Sequence, residues 1–249
     1  MKKVIKITCA LATVLLCISA SAFGQNKKCA GLPDHAALHD ALANAQKLNN
    51  GGLGLHMWAS VVNRDGFVCA VAFSGNDRNS QWPGSRVIAA QKAYTANAFS
   101  LDALALSTAN LYSLTQPGGS LYGLQHSNPV ATDPAYQGNP LRYGTDKDPM
   151  AGKKVGGINV FGGGLGLYDG NGKIIGALGV SGDTSCADHN IAWRTRFMLA
   201  LDNVTKGVGT PDDNIIFDIG SAKPSGFGHP TCNDISISTN QAVIAHPDK

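Results

Sequence analysis

The sequence predicts an α+β single domain, in which a roughly five-stranded, mainly antiparallel sheet carries helices packed on it. Three observations point there. Short apolar segments rich in β-branched and aromatic residues are hinged at Asp-Gly turns. Other segments repeat their apolar residues at 3-4 spacing. These segments follow in the order helix, hairpin, helices, loop, strands, helix. The 249 residues are 43% hydrophobic and 15% charged with 30 glycines, a globular profile, and no solenoid or propeller period is visible.

At the N-terminus, Lys2, Lys3 and Lys6 precede the apolar run Ile7 to Ile18 and the small residues Ser19 to Ala22, the pattern of a secretory signal peptide over residues 1–24, cleaved after Ala22 or Gly24. The run is shorter than the ~20 residues that a membrane-crossing helix needs, so no membrane span is expected. Export places the chain in the periplasm or outside a bacterial cell. The formal charge of +3 resides in those three lysines, so the exported chain is neutral and nucleic acid is a poor partner for it.

Asp34 opens a first helix through Leu38, Ala41, Leu42, Ala45 and Leu48, stopped at Asn49-Asn50-Gly51-Gly52. Leu55 to Val62 and Phe67 to Phe73 form a hairpin over Asn63-Arg64-Asp65-Gly66. Ser85 to Leu101 is a second helix, and Asp102 to Leu111 a further helical stretch on the same face of the sheet. Gln116 to Met150 has no period and carries five prolines, a long loop of the kind that contacts ligands. Ile158 to Phe161, Gly164 to Tyr168 and Lys173 to Ser181 are strands, the last two hinged at Asp169-Gly170-Asn171-Gly172. Asp183, Thr184 or Ser185 caps a helix running through Val204, and the tail 207–249 is extended.

Export leaves Cys29, Cys69, Cys186 and Cys232, an even number suited to an oxidising compartment. Three pairings are open. Cys186 with Cys232 is preferred because the weakly patterned tail needs a tether, which leaves Cys29 with Cys69; a buried free thiol at Cys69 is the alternative.

Several motifs fail as catalytic signatures. Gly162-Gly163-Gly164-Leu165-Gly166-Leu167 lacks the third glycine of a dinucleotide fingerprint and leads into a strand where that motif needs a helix. Its glycines admit a close backbone or a flat ligand. Gly179-Val180-Ser181-Gly182-Asp183 ends in Asp where a nucleophile elbow needs Gly, so capping explains it better. No Cys-x-x-Cys-His run exists for covalent haem attachment.

Histidine is the commonest metal ligand. His35 and His39 share a helix face, as a chelating pair or as two solvated first-turn residues. His126, with Tyr122, lies in the glycine-flanked loop and is the best local candidate, against a histidine that only bonds its own backbone. His189 follows Cys186 by one helical turn, a weak metal signal. Arg194 and Arg196 would either meet anionic groups or line a solvated helix face.

Four segments carry a resemblance: Val61 to Gly66, Ala89 to Ala96, Gln116 to Leu124, and Asp169 through Thr184 with Ile175-Gly176-Ala177-Leu178-Gly179-Val180-Ser181-Gly182. Together they resemble the GlcG/HbpS family of haem-binding proteins, also found as the C-terminal domain of PduO-type proteins. The resemblance covers the domain over residues 29–206. It implies a compact profilin/PAS-like sheet with helices on both sides, homo-oligomers, and non-covalent binding of haem b for storage, transport or sensing, with a sensor protein as a possible partner. Haem degradation or turnover of a small metabolite, or a non-catalytic partner-binding module, are the alternatives it leaves. Two features depart from the family pattern: an insertion at about 129–154 and a C-terminal extension, 207–249, tethered by Cys232. No axial ligand transfers by position, so His126, Tyr122, His39, His35, His189 and Arg194 are candidates on their chemistry alone.

Overall fold

The computed structural model describes residues 27–209 and 211–249; the predicted export signal lies outside the described residues. Helix α1 (His35–Gln46) starts where Asp34 accepts a hydrogen bond from the Ala37 amide at 2.9 Å and buries Leu38, Ala41, Leu42 and Ala45, the face set by their spacing. Strands β1 (Trp58–Asn63) and β2 (Val68–Phe73) form the first hairpin, closed by Asn63 N–H to Phe67 O at 3.0 Å, with Gly66 at φ 78° where a side chain would be strained. Helix α2 (Ser85–Phe99) follows, then the single turns α3 (Tyr112–Thr115), α4 (Leu124–Ser127) and α5 (Thr132–Tyr136). The second hairpin, β3 (Gly164–Tyr168) and β4 (Ile174–Ser181), leads into α6 (Ser185–Met198), and α7 (Ser236–Ala245) lies near the C-terminus.

Among the described residues the sheet has four strands, all antiparallel, in the order β2-β1-β4-β3. Side-chain alternation splits the core into two layers. Met57, Ala59, Val61, Leu165, Leu167, Leu178 and Val180 pack under α1 and α6, while Trp58, Val62, Val71, Phe73 and Ala177 pack under α2. Helices thus cover both faces. Two strand glycines serve the α2 side: a Cβ on Gly179 would collide with Ala89 O and Ala93 N, and one on Gly164 with Lys92 O. It is the backbone of α2 that these glycines admit.

The structure corrects the sequence reading at several points. The fifth strand, Ile158 to Phe161, is absent, because its backbone is satisfied outside any ladder: Ile158 N–H meets Asn128 O at 3.1 Å and Asn159 N–H meets Thr95 Oγ1 at 3.0 Å. Residues 102–111 are not a helix; Leu101 pairs with Leu104, Ala105 bridges Gly207, and only a 3-10 turn forms at Ala109–Leu111. Helix α6 ends at Met198, six residues before Val204, where Ala200 takes φ 53° and the chain turns back to bridge Tyr168 through Asp202. The extension is not wholly extended, since α7 lies within it.

The insertion folds onto the sheet. Val68 N–H meets Lys153 O and Gly152 N–H meets Val68 O, both at 2.8 Å, so it blunts the β2 end of the sheet. Ala135, Met150 and Val155 bury against the α2 layer. Two disulfides tie the periphery, Cys29–Cys69 and Cys186–Cys232, with Cα atoms 5.7 and 6.0 Å apart. No helix among the described residues is long and apolar enough to cross a membrane.

Candidate functional site

A cleft of about 480 Å³ opens between the start of α1, the segment after β2 and the insertion turn around Tyr143. That volume falls within the ~300–1,000 Å³ typical of small-molecule sites. His35 and His39, one helical turn apart, stand in it with ring planes 20° apart and centroids separated by 6.0 Å. Both are half-buried, so they line a cleft and are not simply solvated.

Their hydrogen bonds assign different roles. His35 Nε2 lies 2.9 Å from Gly144 O, and since a carbonyl only accepts, the imidazole donates there and latches the insertion to α1. His39 Nδ1 lies 3.2 Å from Asp40 Oδ1, so its N–H points to a carboxylate and its Nε2 lone pair is left for a ligand.

The opposite wall is Phe73, Leu141 and Tyr143, with Arg78 at the rim. Phe73 stacks on Trp58 at 4.6 Å, and Leu141 is 79% exposed. Glycine is required at 144: φ is +76°, and a Cβ would come within 2.7 Å of Phe73 and 2.9 Å of Trp58. Behind this wall the buried Arg86 pairs with Asp148, and its guanidinium carbon sits 3.6 Å from the centroid of the Tyr143 ring.

The other sequence candidates lie elsewhere. His126 is exposed on α4 and Tyr122 is 67% exposed; neither lines the cleft. His189 is wholly buried, accepting from Ile215 N–H at 3.1 Å, and it anchors the extension. Burial pushes its pKa down to about 4. Arg194 and Arg196 form no solvated face. Arg194 bonds Asn50 Oδ1 at 3.0 Å and Pro247 O at 2.9 Å, and Arg196 pairs with Asp213 at 2.8 Å. A smaller cavity of about 110 Å³ between the Asn49 to Leu55 loop and Asp183 has less than a quarter of the cleft's volume.

A family model described as "Haem degrading protein HbpS-like" matches residues 35–195, well over half of the chain. The chain belongs to the HbpS-like family. The HbpS-like match begins at His35 itself and ends inside α6, so the insertion falls within it and the extension with His229 and Cys232 beyond it. Among solved structures, the Klebsiella pneumoniae protein ORFY is similar at 25% identity over 67% of this chain and 90% of that one, with a TM-score of 0.46. A PduOC:heme complex is similar at 23% identity over 68% of this chain and 94% of that one, also with a TM-score of 0.46. No curated protein matches the chain.

Phe73, Arg78, Leu141 and Tyr143 were not singled out by the sequence. The His35/His39 spacing was legible, but the wall facing it comes from residues roughly 35 to 110 positions away and has no local signature.

Proposed function

We propose that this HbpS-like protein binds haem b non-covalently in the cleft beside α1, with His39 Nε2 as the iron ligand and His35 next to it. The observation that carries this reading is the pair of imidazoles lining a cleft of about 480 Å³ opposite Phe73, Leu141 and Tyr143. The donor set fits: a histidine whose other nitrogen donates to a carboxylate is a held, electron-rich ligand. Leu141 and Tyr143 offer apolar surface to a flat macrocycle, and Arg78 supports its carboxylates at a margin that Asp77 and Asp146 also line. All four cysteines of the described residues are bridged, so no thiol remains for a covalent link. When bound, haem supplies a redox-active iron centre. The chain's part is to hold and orient it.

The two disulfides and the N-terminal sequence support work in an oxidising compartment, periplasmic or extracellular, where storage, transport or sensing of haem fits. The family description favours a second reading, haem degradation. Loss of bound haem with reductant or peroxide faster than loss of free haem would support that reading.

Titration of the purified chain with haemin tests the proposal. A Soret shift saturating at one equivalent is expected, lost in His39→Ala, altered in His35→Ala and unchanged in His126→Ala. No shift in the unsubstituted protein, or an unchanged spectrum in His39→Ala, overturns it.

A further inference from the structure

Beyond the region of the family match, the extension returns to the start of α6 and places a histidine on a serine. Ser185 Oγ lies 2.7 Å from His229 Nε2, and His229 Nδ1 lies 2.7 Å from Pro230 O. A carbonyl only accepts, so the ring carries its hydrogen on Nδ1 and Nε2 accepts from the serine hydroxyl. The ring is held in place: His229 is 2% exposed, with Tyr112 packed at 5.0 Å, and the Cys186–Cys232 disulfide ties the residue after Ser185 to one three positions beyond His229. Gly162 N–H donates to Ser185 Oγ at 2.6 Å, occupying one lone pair while the hydroxyl hydrogen goes to the ring. Burial also pushes the His229 pKa down to about 4, so the ring is unprotonated at neutral pH, and its role as proton acceptor rests on its 2.7 Å contact with the hydroxyl.

The surroundings suit acyl chemistry. Ser185 is only partly buried. In the first turn of α6, Cys186 N–H meets Cys232 Sγ and Ala187 N–H meets Thr184 Oγ1, which leaves the Ser185 amide, beside the hydroxyl, for a developing oxyanion. Tyr112, its ring centroid 5.0 Å from that of His229, flanks the pair with aromatic surface, which favours an uncharged group.

We propose that Ser185 is a nucleophile activated by His229 and takes the acyl group of small, uncharged, activated carboxylic esters. Ser185 Oγ forms a bond to the ester carbonyl carbon as its proton passes to His229 Nε2. The carbon–alkoxy bond then breaks, and the leaving alkoxide takes that proton and departs as the alcohol. Water attacks the acyl-serine with His229 again as base, releasing the carboxylic acid and restoring the hydroxyl. No oxidant or cofactor enters the balance. The bond pattern follows the serine–histidine logic of acyl transfer, with a backbone carbonyl in the orienting position usually held by a carboxylate.

The test is incubation of the full, disulfide-intact chain with a fluorophosphonate probe, read by intact mass and peptide sequencing. Fluoride is displaced in that reaction. One phosphonyl adduct, on Ser185, is expected; Ser185→Ala gives none, and His229→Gln slows labelling about 100-fold. Hydrolysis of p-nitrophenyl acetate is expected to fall in parallel. An unlabelled wild-type chain, an adduct on another residue, or His229→Gln labelled at the wild-type rate overturns the proposal. The wild-type arm decides even if a variant misfolds.

Discussion

Arg86 on α2 and Asp148 in the insertion meet as a buried ion pair, the arginine Nε 2.9 Å from the carboxylate. The same carboxylate accepts from Gly144 N–H at 2.8 Å and Met150 N–H at 2.9 Å, and Arg86 donates to Ala135 O at 2.9 Å. One pair therefore fixes the insertion on the domain and sets the wall of the cleft.

Breaking that pair from one side strands a buried charge. Asp148→Ala is expected to cost about 3–5 kcal/mol, and an apolar replacement of both partners much less. Urea unfolding of the single and double variants measures this. Haemin affinity should fall in Asp148→Ala, because Gly144 and Tyr143 lose their anchor; equal losses in single and double variants would refute the assignment.

The carboxylate behind His39 is a second target. Asp40→Asn keeps shape but removes the charge that orients the ring, and haemin affinity is expected to fall about tenfold with the fold intact. Equilibrium titration checks it, and an unchanged affinity would show that Asp40 merely neighbours the ligand.

Acid should destabilise the protein through its buried imidazoles. His189 and His229 are both pushed down to about 4 by burial. Above the unfolded value of about 6.5 both states are neutral and the stabilisation is whole. As pH falls below 6.5 the unfolded chain takes up protons first, so stability is lost progressively until the folded state protonates near 4. Each histidine accounts for roughly 3 kcal/mol at most. Denaturation midpoints between pH 7 and 4 should show the slope, and His189→Gln should flatten part of it.

Close approach of α2 to the sheet depends on Gly179. Gly179→Ala places a methyl against Ala89 O and Ala93 N, both backbone atoms, and is expected to cost about 3 kcal/mol. Gly170→Ala, where a Cβ meets nothing within 4 Å, should be near neutral. Thermal unfolding of the two variants separates packing from loss of glycine itself.

The sequence alone determined the elements that local chemistry specifies. The Asp34 cap and the 3-4 spacing define α1, the Asp65-Gly66 turn defines the first hairpin, and the Asp169 to Gly172 turn the second, because capping and turn formation act within a few residues. The shared face of His35 and His39 follows from the same helical period. Tertiary structure alone decided the rest. Ile158 to Phe161 has strand composition but finds its partners in Thr95 and Asn128, so it joins no ladder. Arg194, Arg196 and His189 look like available side chains on α6, yet the extension folds over them and buries them. The cleft wall from Phe73 to Tyr143, and the meeting of Ser185 with His229, join positions dozens of residues apart. Such contacts depend on loop closure and mutual burial, which leave no local period in the chain.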